Sequence, residues 1–454
     1  MQKDSVFVAI HGTQVDGHDF IDQSIAQGAA AVVCEKMPPQ LDEKVTYVQV
    51  KDAHAALGIM AANFYDNPSH KLKLVGITGT NGKTTVATLC HRLFLALGKK
   101  AGLLSTVNVM IGNEEHPATH TTPDPLKLNK HLKNMVDAGC EFCFMEASSH
   151  GIEQQRIAGL EFAGAVFTNI SHDHLDYHKS FDDYIRAKKK LFDSLSANAW
   201  ALINRDDKHG KTMLLHCSAS KHGFALKTDT DFKVKIMEHQ LTGMLLQLDK
   251  HEMWSKLIGN FNALNLAAVY GIASLLGEDQ LQVVTALSNL PAVEGRFQYI
   301  RSRAGVTAIV DYAHTPDALK NVLETIAKIR TGNEQVITVV GCGGTRDKTK
   351  RPEMARIATR MSDQVIFTSD NPRYEDPDII IENMEAGVEA HLSQKHLSIT
   401  DRRAAIKTAV KLARKNDIIL IAGKGHEKFQ EVNGEKLPFD DLAIANETLN
   451  PSVS

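Results

Sequence analysis

Lys83 and Thr84 stand in a stretch whose residue types suit the binding of a phosphate. The stretch "GITGTNGKTT" runs from residue 76 to residue 85. The lysine amine would reach the β- and γ-phosphates of a nucleotide, and the threonine hydroxyl would suit Mg²⁺. The usual phosphate-loop pattern places a glycine five residues before Gly82, however, and this chain has Ile77 there. Residue types alone therefore leave two possibilities open, a phosphate loop and an ordinary glycine turn.

The elements predicted on either side of this stretch favour the phosphate loop. Residues 72–77 form a short apolar run that is typical of a buried parallel strand. After the turn, apolar residues recur at helical spacing: Val86, Leu89, Leu93 and Leu97. Gly79 and Gly82 allow a tight turn that exposes backbone N–H groups, and the following helix N-terminus adds partial positive charge.

Polar residues with useful chemistry also follow other apolar runs. "FCFME" precedes "ASSHG", "GAVFTNI" precedes "SHDHLDYH", "TVVGCGG" precedes "TRDKTKR", "VIFTS" precedes "DNPRYEDP" and "IILIAG" precedes "KGHEKF". Ligands of open α/β sheets bind beyond the carboxyl ends of the strands. We therefore expect a cleft between two such domains, large enough for a nucleotide and a further substrate.

Two of these segments could hold a metal ion. Glu146 ends a predicted strand near the phosphate loop and is a plausible Mg²⁺ ligand, although it could instead cap the next helix. The segment "SHDHLDYH" could offer His172, His174 and His178 to zinc. The histidine spacing is irregular and no cysteine joins it, so a role near Mg²⁺-nucleotide or an exposed loop is favoured.

Other charged segments and the cysteines are ambiguous when taken alone. "YIRAKKKLF" has the composition of an amphipathic helix with exposed lysines. "GGTRDKTKR" and "DNPR" carry arginines that could pair with a carboxylate or phosphate, or could be surface charge. Cys140 and Cys143 form one CxxC pair without a second pair at zinc-ribbon spacing, which predicts core residues.

The whole chain has the composition of a multidomain α/β protein. Its 454 residues suggest several domains, and a net charge of -3 offers no electrostatic basis for binding nucleic acid or an anionic membrane. No apolar run is long enough to span a bilayer, the start lacks a signal-peptide layout, and six cysteines do not form a disulfide framework. A cytoplasmic protein is expected.

Alternating strand and helix signals predict the domain organisation. We expect an N-terminal domain over residues 1–70, a central domain over 71–296 and a C-terminal domain over 297–454. "NPSHKL" reads as the first linker, and "PAVEGRFQ" contains the second boundary. The runs "VTAIVDYAH", "VITVVGCGG", "DQVIFTSDNPR" and "DIILIAGKGHE" predict that the last domain is doubly wound.

Ten motifs in order resemble the Mur ligase family of peptidoglycan synthesis. They are "GTNGKTT", "MEASSHG", "TNISHDHLDYH", "YIRAKKKLF", "GNFNALN", "EGRFQ", "DYAHTPDAL", "GGTRDKTKRP", "DNPRYEDP" and "AGKGHE". The resemblance covers nearly the whole chain, and Ile77 is normal in this family's phosphate loop. It implies three domains: one for the UDP moiety, a central P-loop ATPase and a C-terminal doubly wound, Rossmann-like domain. It also implies ATP, Mg²⁺ and an acyl-phosphate intermediate on UDP-MurNAc-L-Ala-D-Glu.

The resemblance also implies site residues, each on a matching motif of this chain. The implied catalytic residues are Lys83, Glu146, His174 and Lys188, and the implied metal ligands are Thr84, Glu146, His174 and Lys188 as a carbamate. The implied ATP-binding residues are Gly79, Thr80, Asn81, Gly82, Lys83, Thr84, Thr85, Asn265, Arg296, Asp311 and His314. The implied UDP-MurNAc-dipeptide-binding residues are His11, Gly12, Thr121, Thr122, Ser148, Gln154 and Arg156. The implied amino-acid-binding residues are Arg346, Asp370, Asn371, Pro372, Arg373, Gly423 and Glu427.

"DNPR" is the mark of substrate choice that the resemblance supplies. In relatives it accompanies meso-diaminopimelate, whose distal carboxylate an arginine can pair with, whereas L-lysine would leave that arginine unpaired. Diaminopimelate is therefore expected. The alternatives are the lysine-adding ligase, another Mur or folylpolyglutamate-type ligase, and a non-catalytic nucleotide-binding regulator. A monomer is expected, as is the absence of a short family segment ahead of "DSVFVAI" that contacts UDP.

Overall fold

The first sheet along the chain is small and parallel. The computed structural model describes residues 3–12, 15–118, 120–171, 173 and 177–451. The first sheet has the order β1-β2-β3, with β1 at Ser5–Val8, β2 at Ala29–Cys34 and β3 at Thr46–Gln49. Helices α1 (Ile21–Ala26) and α2 (Ala53–Phe64) belong to the same region, with 3₁₀ turns at Gly17–Phe20 and Pro68–Lys71. The predicted linker "NPSHKL" is thus a short 3₁₀ turn in which Pro68 and Ser69 are buried.

The second sheet has eleven strands in the described part of the chain, in the order β14-β13-β12-β11-β10-β9-β4-β8-β5-β6-β7. Its strands are β4 (Lys73–Thr78), β5 (Ala101–Leu104), β6 (Asn108–Ile111), β7 (Glu114–Pro117), β8 (Phe142–Glu146), β9 (Gly164–Phe167), β10 (Trp200–Asn204), β11 (Ser220–Ala225), β12 (Phe232–Gln240), β13 (Gly243–Leu248) and β14 (His251–Ser255). Its helices are α3 (Lys83–Ala96), α4 (Pro125–Asp137), α5 (Ser149–Glu153), α6 (Phe181–Asp193), α7 (Gly210–Met213), α8 (Asn260–Leu275) and α9 (Gln280–Asn289). The middle of the sheet is parallel as predicted, but β6, β7, β13 and β14 join it as antiparallel hairpins.

The parallel middle of this sheet positions the site. β4 lies between β8 and β9, with Ile77 paired to Glu146 and Thr78 paired to Phe167. Because the three strands run in the same direction, the segments that follow them leave the sheet at one edge. Both faces of these strands are covered, which explains their continuous apolar sequences.

The third sheet has the order β15-β16-β20-β17-β18-β19 and is parallel except for β15. Its strands are β15 (Gln298–Arg301), β16 (Thr307–Asp311), β17 (Val336–Val340), β18 (Gln364–Phe367), β19 (His396–Ser398) and β20 (Ile418–Ala422), and the hairpin β21 (Phe429–Val432) and β22 (Glu435–Pro438) follows. Its helices are α10 (Pro316–Ile329), α11 (Lys350–Met361), α12 (Pro377–Glu385), α13 (Arg402–Leu412) and α14 (Asp441–Leu449), with a 3₁₀ turn at Ala390–Lys395. Helices α10, α11 and α12 pack on one face and α13 and α14 on the other, so the predicted doubly wound architecture is confirmed.

The cysteines are core residues, as the sequence predicts. Cys140 and Cys143 are buried in the core around β8, as predicted. All six cysteines lie in the described residues as buried free thiols. Among the helices of the described residues, none is both long and apolar enough to cross a membrane.

Candidate functional site

The turn after β4 has the backbone conformation that the glycines were expected to allow. Gly79 has φ +148° and Gly82 has φ +89°, and Gly82 is the N-cap of α3. A Cβ at Gly79 would stand 1.9 Å from Thr168 Oγ1, and one at Gly82 would stand 2.6 Å from Asn265 Oδ1. A side chain at either position would therefore force a neighbouring side chain to move. The N–H groups of Thr80 and Asn81 donate to the carbonyl oxygen of Asn169 at 2.8 Å and to its Oδ1 at 3.0 Å, which leaves the N-terminus of α3 to face an anion.

Two lysine amines approach the same carbonyl oxygen in this turn. Lys83 Nζ donates to the carbonyl oxygens of Gly79 at 2.9 Å and Thr80 at 2.8 Å. Lys188 Nζ donates to the Gly79 carbonyl oxygen at 2.8 Å and lies 4.5 Å from the centre of the Tyr184 ring. Only 1% of Lys188 is exposed, so the interpretation of this lysine as a surface residue is wrong. Burial, and then the charge of Lys83, lower the pKa of Lys188 well below its ordinary value.

Glu146 ends β8 with a fully buried carboxylate. Its Oε1 accepts from the backbone N–H of Thr106 at 2.8 Å, and its Oε2 accepts from the Thr106 hydroxyl at 3.3 Å. The next helix is capped instead by Ser148, whose hydroxyl accepts from the Gly151 N–H at 3.1 Å. The alternative of Glu146 as a helix cap is therefore wrong.

Arg296 reaches the phosphate loop from the start of the third sheet. Its Nη2 donates to Thr84 Oγ1 at 3.3 Å, and its guanidinium carbon lies 4.5 Å from the centre of the Tyr312 ring. Its Nε is buried and has no hydrogen-bond partner among the described residues. Asp311 accepts from the Phe297 N–H at 2.7 Å, and burial raises its pKa to about 6, although Arg296 acts against that rise.

His314 is held as a neutral imidazole close by. Burial, and then the charge of Lys350, lower its pKa to about 4. Its Nδ1 lies 2.8 Å from the carbonyl oxygen of Tyr312, which accepts the proton on that nitrogen. Lys350 Nζ in turn donates to the carbonyl oxygen of His314 at 3.0 Å. The other ring nitrogen is then the unprotonated one.

Three cavities adjoin these residues. The inner cavity, of about 90 Å³, lies between the second and third sheets, and its lining includes Asn81, Gly82, Thr85, Asn169, Phe261, Asn265, Arg296, Asp311 and Asn321. The central cavity, of about 390 Å³, is lined by Thr80, Asn81, Gly82, Lys83, Thr84, Thr106, Thr121, Thr122, Glu146, Ser148, Arg156, Asp173, Lys188, Arg296, His314 and Arg346 among others. The outer cavity, of about 300 Å³, is lined by Arg346, Lys350, Asp370, Asn371, Arg373, Gly423 and Glu427 among others.

The central and outer cavities form one cleft. The two cavities share six of their lining residues: Thr106, Thr121, Asp173, Tyr312, His314 and Arg346. The cleft therefore runs from the phosphate loop of the second sheet to the strand ends of the third sheet. That position matches the cleft expected from the polar residues after the apolar runs.

Most residues that the resemblance implied for the dipeptide substrate lie on the wall of the central cavity. Arg156 Nη1 donates to the Thr122 carbonyl oxygen at 2.6 Å, and the Thr122 and Ser148 hydroxyls are 3.1 Å apart. Gln154 lies behind this wall, where its Oε1 accepts from Arg156 Nε at 3.0 Å and Nη2 at 2.7 Å.

His11 and Gly12 are not brought to these cavities. They follow β1 in the first sheet, and the His11 carbonyl oxygen accepts from His54 Nε2 at 3.0 Å. The His11 ring lies 2.9 Å from an Asp16 carboxylate oxygen. The predicted role of these two residues stays a prediction.

The residues implied for the amino acid surround the outer cavity, but they differ in their hydrogen bonds. Asp370 is 8% exposed, and its Oδ2 has no hydrogen-bond partner in the described part of the chain. The Asn371 amide, in contrast, donates to Glu427 Oε2 at 2.8 Å and accepts from Lys424 Nζ and the Glu431 N–H, both at 2.9 Å. Pro372 is buried and does not line the cavity.

Several lining residues were missed by sequence reasoning. Thr106 follows the apolar strand β5, so the pattern of polar residues after strands could have found it. Tyr312 and Lys350 lie inside the quoted motifs "DYAHTPDAL" and "GGTRDKTKRP", but a tyrosine and one lysine among several carry no separate signal. His172 and His174 fall outside the described residues, so the zinc alternative and the predicted role of His174 stay untested.

Comparisons with known proteins cover the chain from end to end. Residues 1–65 match the model for "Mur ligase family, catalytic domain", residues 77–273 match "Mur ligase middle domain" and residues 295–425 match "Mur ligase, glutamate ligase domain". A protein of Cytophaga hutchinsonii named UDP-N-acetylmuramoyl-L-alanyl-D-glutamate--2,6-diaminopimelate ligase is 54% identical over 99% of this chain and 93% of its own length. A protein of Bacteroides fragilis with the same name is 52% identical over 99% of this chain and 92% of its own.

A solved structure of a protein with that name agrees with the fold. It is 33% identical, covers 99% of this chain and 92% of its own, and has a TM-score of 0.70. The similarity thus includes the N-terminal sheet as well as the two sheets that form the cleft. Because family models match all three regions and a relative is more than half identical over nearly the whole chain, this chain belongs to the Mur ligase family.

Proposed function

We propose that this chain is an ATP-dependent amide ligase that joins meso-diaminopimelate to UDP-MurNAc-L-Ala-D-Glu in peptidoglycan synthesis. The observation that carries the proposal is the single cleft that begins at the phosphate loop and ends among Arg346, Arg373 and Asp370. A ligase needs a phosphate donor, a carboxylate acceptor and an amine in line, and the three cavities offer a place for each. The names of the relatives support the same reaction.

The chemistry follows from the difficulty of attacking a carboxylate. A carboxylate resists nucleophiles until a good leaving group is attached, so phosphoryl transfer from ATP to the terminal D-Glu carboxylate comes first. The amine of diaminopimelate then displaces phosphate from the acyl phosphate and forms the amide. Lys83, Arg296 and the N-terminus of α3 are placed to neutralise phosphate charge, and positioning supplies most of the catalysis.

The donor set at the phosphate loop fits Mg²⁺. Mg²⁺ prefers oxygen ligands, and Thr84 and the buried Glu146 supply a hydroxyl and a carboxylate on the same cavity wall. When bound, Mg²⁺ would neutralise phosphate charge during the transfer. His174 is proposed as a further ligand from the family resemblance alone.

Lys188 is proposed to join this set as a carbamate. Two buried amines at one carbonyl oxygen repel each other as cations, and the lowered pKa of Lys188 favours the neutral amine. A neutral amine can add CO₂ to give a carboxylate-like ligand, which turns repulsion by Lys83 into attraction. The mass of the intact protein, read with and without bicarbonate, tests this modification independently of turnover.

The outer cavity favours diaminopimelate over lysine. Arg346 and Arg373 can pair with carboxylates of the substrate, while the unpartnered Asp370 oxygen and the Glu427 carboxylate can accept from an amine. L-lysine has no distal carboxylate, so it would lose the pairing with Arg346 that diaminopimelate can make.

The wider assignments are proposals of the same kind. We propose domains at residues 1–70 for the UDP moiety, 71–296 for ATP and 297–454 for the amino acid, in a cytoplasmic monomer. The three sheets support these bounds because each lies inside one of the ranges.

The direct test is phosphate release from ATP, measured with each substrate left out in turn. We expect release only when Mg²⁺, UDP-MurNAc-L-Ala-D-Glu and an amino acid are all present, together with a tripeptide product found by mass. A D-Glu carboxylate labelled with heavy oxygen should pass one labelled atom to the released phosphate. Release that needs neither substrate would contradict the proposal.

A further inference from the structure

Two loops that carry the arginines of the outer cavity are bound to each other. One loop, residues 341–349, carries Arg346, and the other, residues 368–376, carries Arg373. The Gly344 N–H donates to the Asn371 carbonyl oxygen at 2.9 Å, and Arg373 Nη1 donates to the Gly344 carbonyl oxygen at 2.9 Å. These bonds join the two loops close to Arg346 and Arg373.

Glu375 provides a second connection between the two loops. Its carboxylate accepts from the Thr345 N–H in the first loop, and Lys348 forms an ion pair with it at 3.2 Å. Arg351 Nη2 donates to both of its oxygens at 3.1 Å. Partial burial acts to raise the pKa of Glu375, but the bonds from Thr345 and Arg351 outweigh it and lower that pKa, so Glu375 stays ionised.

Arg351 is the buried partner in the ion pair with Glu375. Its side chain is 0% exposed, and it lies in the first turn of α11, directly after the first loop. Its Nη1 donates to Asn383 Oδ1 at 3.2 Å, and its Nη2 also reaches the Gly343 carbonyl oxygen at 3.4 Å. A buried guanidinium that loses its one carboxylate partner is strongly unfavourable, so Arg351 and Glu375 hold each other in place.

Arg373 and the residue before Arg346 have strained backbone conformations, which neighbouring groups must hold in place. Thr345 has φ +53° and Arg373 has φ +54°, both in the left-handed region that non-glycine residues avoid. Strained residues persist only where their surroundings fix them, and they cluster at ligand sites. Glu375 holds the N–H of Thr345 in this conformation.

We propose that Glu375 and Arg351 are positioning residues that fix the spacing of Arg346 and Arg373 and so set which amino acid the outer cavity accepts. Neither side chain lines that cavity in the described residues, so the pair acts through the two loops. This inference rests on the proposed function, because it concerns the same amino-acid site.

The test compares Glu375→Gln with a matched control, Glu389→Gln. Glu389 also binds an arginine of this domain through both oxygens, Arg360, but on an exposed part of the surface away from the cleft. For Glu375→Gln we expect the KM for diaminopimelate to rise about tenfold or more, while the KM for ATP and for the nucleotide substrate stays unchanged. The preference for diaminopimelate over lysine should fall, and Glu389→Gln should match the parent.

A second variant keeps the inference testable if Glu375→Gln fails to fold. Arg351→Lys retains the charge but loses the forked contact, so it should raise the same KM and lower the same preference. Parent-like kinetics in either folded variant would overturn the inference, as would an equal rise of all three KM values together with a lowered melting temperature. If the unaltered chain itself shows no turnover that depends on an amino acid, the proposed function fails instead.

Discussion

The amine of Lys188 lies inside the protein, unlike the amines of the two lysines that follow it. Lys189 and Lys190 lie on the outer side of α6 and pair with Asp193 and Glu153. Lys188 points inward to the phosphate loop, because its helix position follows Tyr184 by one turn on the buried face. The composition of the segment does not distinguish the three lysines, and they differ only in the direction in which each side chain points.

Replacement of Lys188 should therefore abolish turnover, whereas replacement of a neighbour should not. We expect Lys188→Ala to lower kcat at least about a hundredfold, because the proposed Mg²⁺ site would lose the proposed carbamate ligand. Lys190→Ala removes only an exposed ion pair and should leave kcat unchanged. Phosphate release measures both, and normal turnover of Lys188→Ala would contradict the proposed role.

Replacement of Asp370 is expected to weaken the binding of diaminopimelate without lowering the stability of the protein. Its buried Oδ2 has no hydrogen-bond partner in the described structure and lines the outer cavity, so this oxygen is available to an amine of the substrate. Asp370→Asn should raise the KM for diaminopimelate about tenfold or more and leave the melting temperature unchanged or higher. A lowered melting temperature with an unchanged KM would identify Asp370 as a structural residue.

The turn between β4 and α3 shows how a short element limits which residues can occupy it. Gly79→Ala should destabilise the protein by about 2 kcal/mol and weaken ATP binding, because its Cβ would collide with Thr168. Gly98→Ala is the control: Gly98 also has a positive φ, +78°, but a Cβ there meets nothing within 4 Å. We expect Gly98→Ala to cost about 1 kcal/mol and to leave ATP binding intact. Calorimetric titration with a non-hydrolysable ATP analogue distinguishes the two.

Elements with strong local patterns could be predicted from the sequence, and contacts between distant elements could not. Buried strands have continuously apolar sequences, and apolar residues recur at helical spacing in amphipathic helices. These patterns predicted the strand before the phosphate loop, the helix after it and the strands of the last sheet. The antiparallel edges of the second sheet were missed, because β12, β13 and β14 follow one another through short turns, whereas the alternation of strands and helices predicted parallel neighbours throughout. The depth of Lys188 depends on packing against Gly79, more than a hundred residues earlier in the chain, which no local pattern contains.

At the scale of the whole molecule, the inner cavity exists only because two sheets approach each other. Arg296 reaches Thr84, and Asn81 Nδ2 donates to Asp317 Oδ2 at 3.3 Å across the same boundary. A non-hydrolysable ATP analogue should therefore protect backbone amides of residues 311–318 from hydrogen exchange as well as those of the phosphate loop. Protection of the phosphate loop alone would mean that the third sheet takes no part in nucleotide binding.

The parallel strands explain why the pattern of polar residues after apolar runs predicted the cleft better than any single motif. "GTNGKTT", "DNPR" and "AGKGHE" are each ambiguous alone, and they lie far apart in sequence. The parallel strands of two sheets bring the segments after Thr78, Phe367 and Ala422 to facing edges. His11 and Gly12, on the separate first sheet, are among the predicted residues that this arrangement does not bring to the cleft.

The most direct measurement is a competition between the two amino acids in one reaction. Equal concentrations of meso-diaminopimelate and L-lysine are supplied with ATP, Mg²⁺ and UDP-MurNAc-L-Ala-D-Glu, and the tripeptide products are separated by mass. Because Arg346 can pair with a distal carboxylate that L-lysine lacks, we expect product that contains diaminopimelate almost exclusively. A product that contains mainly lysine would contradict it.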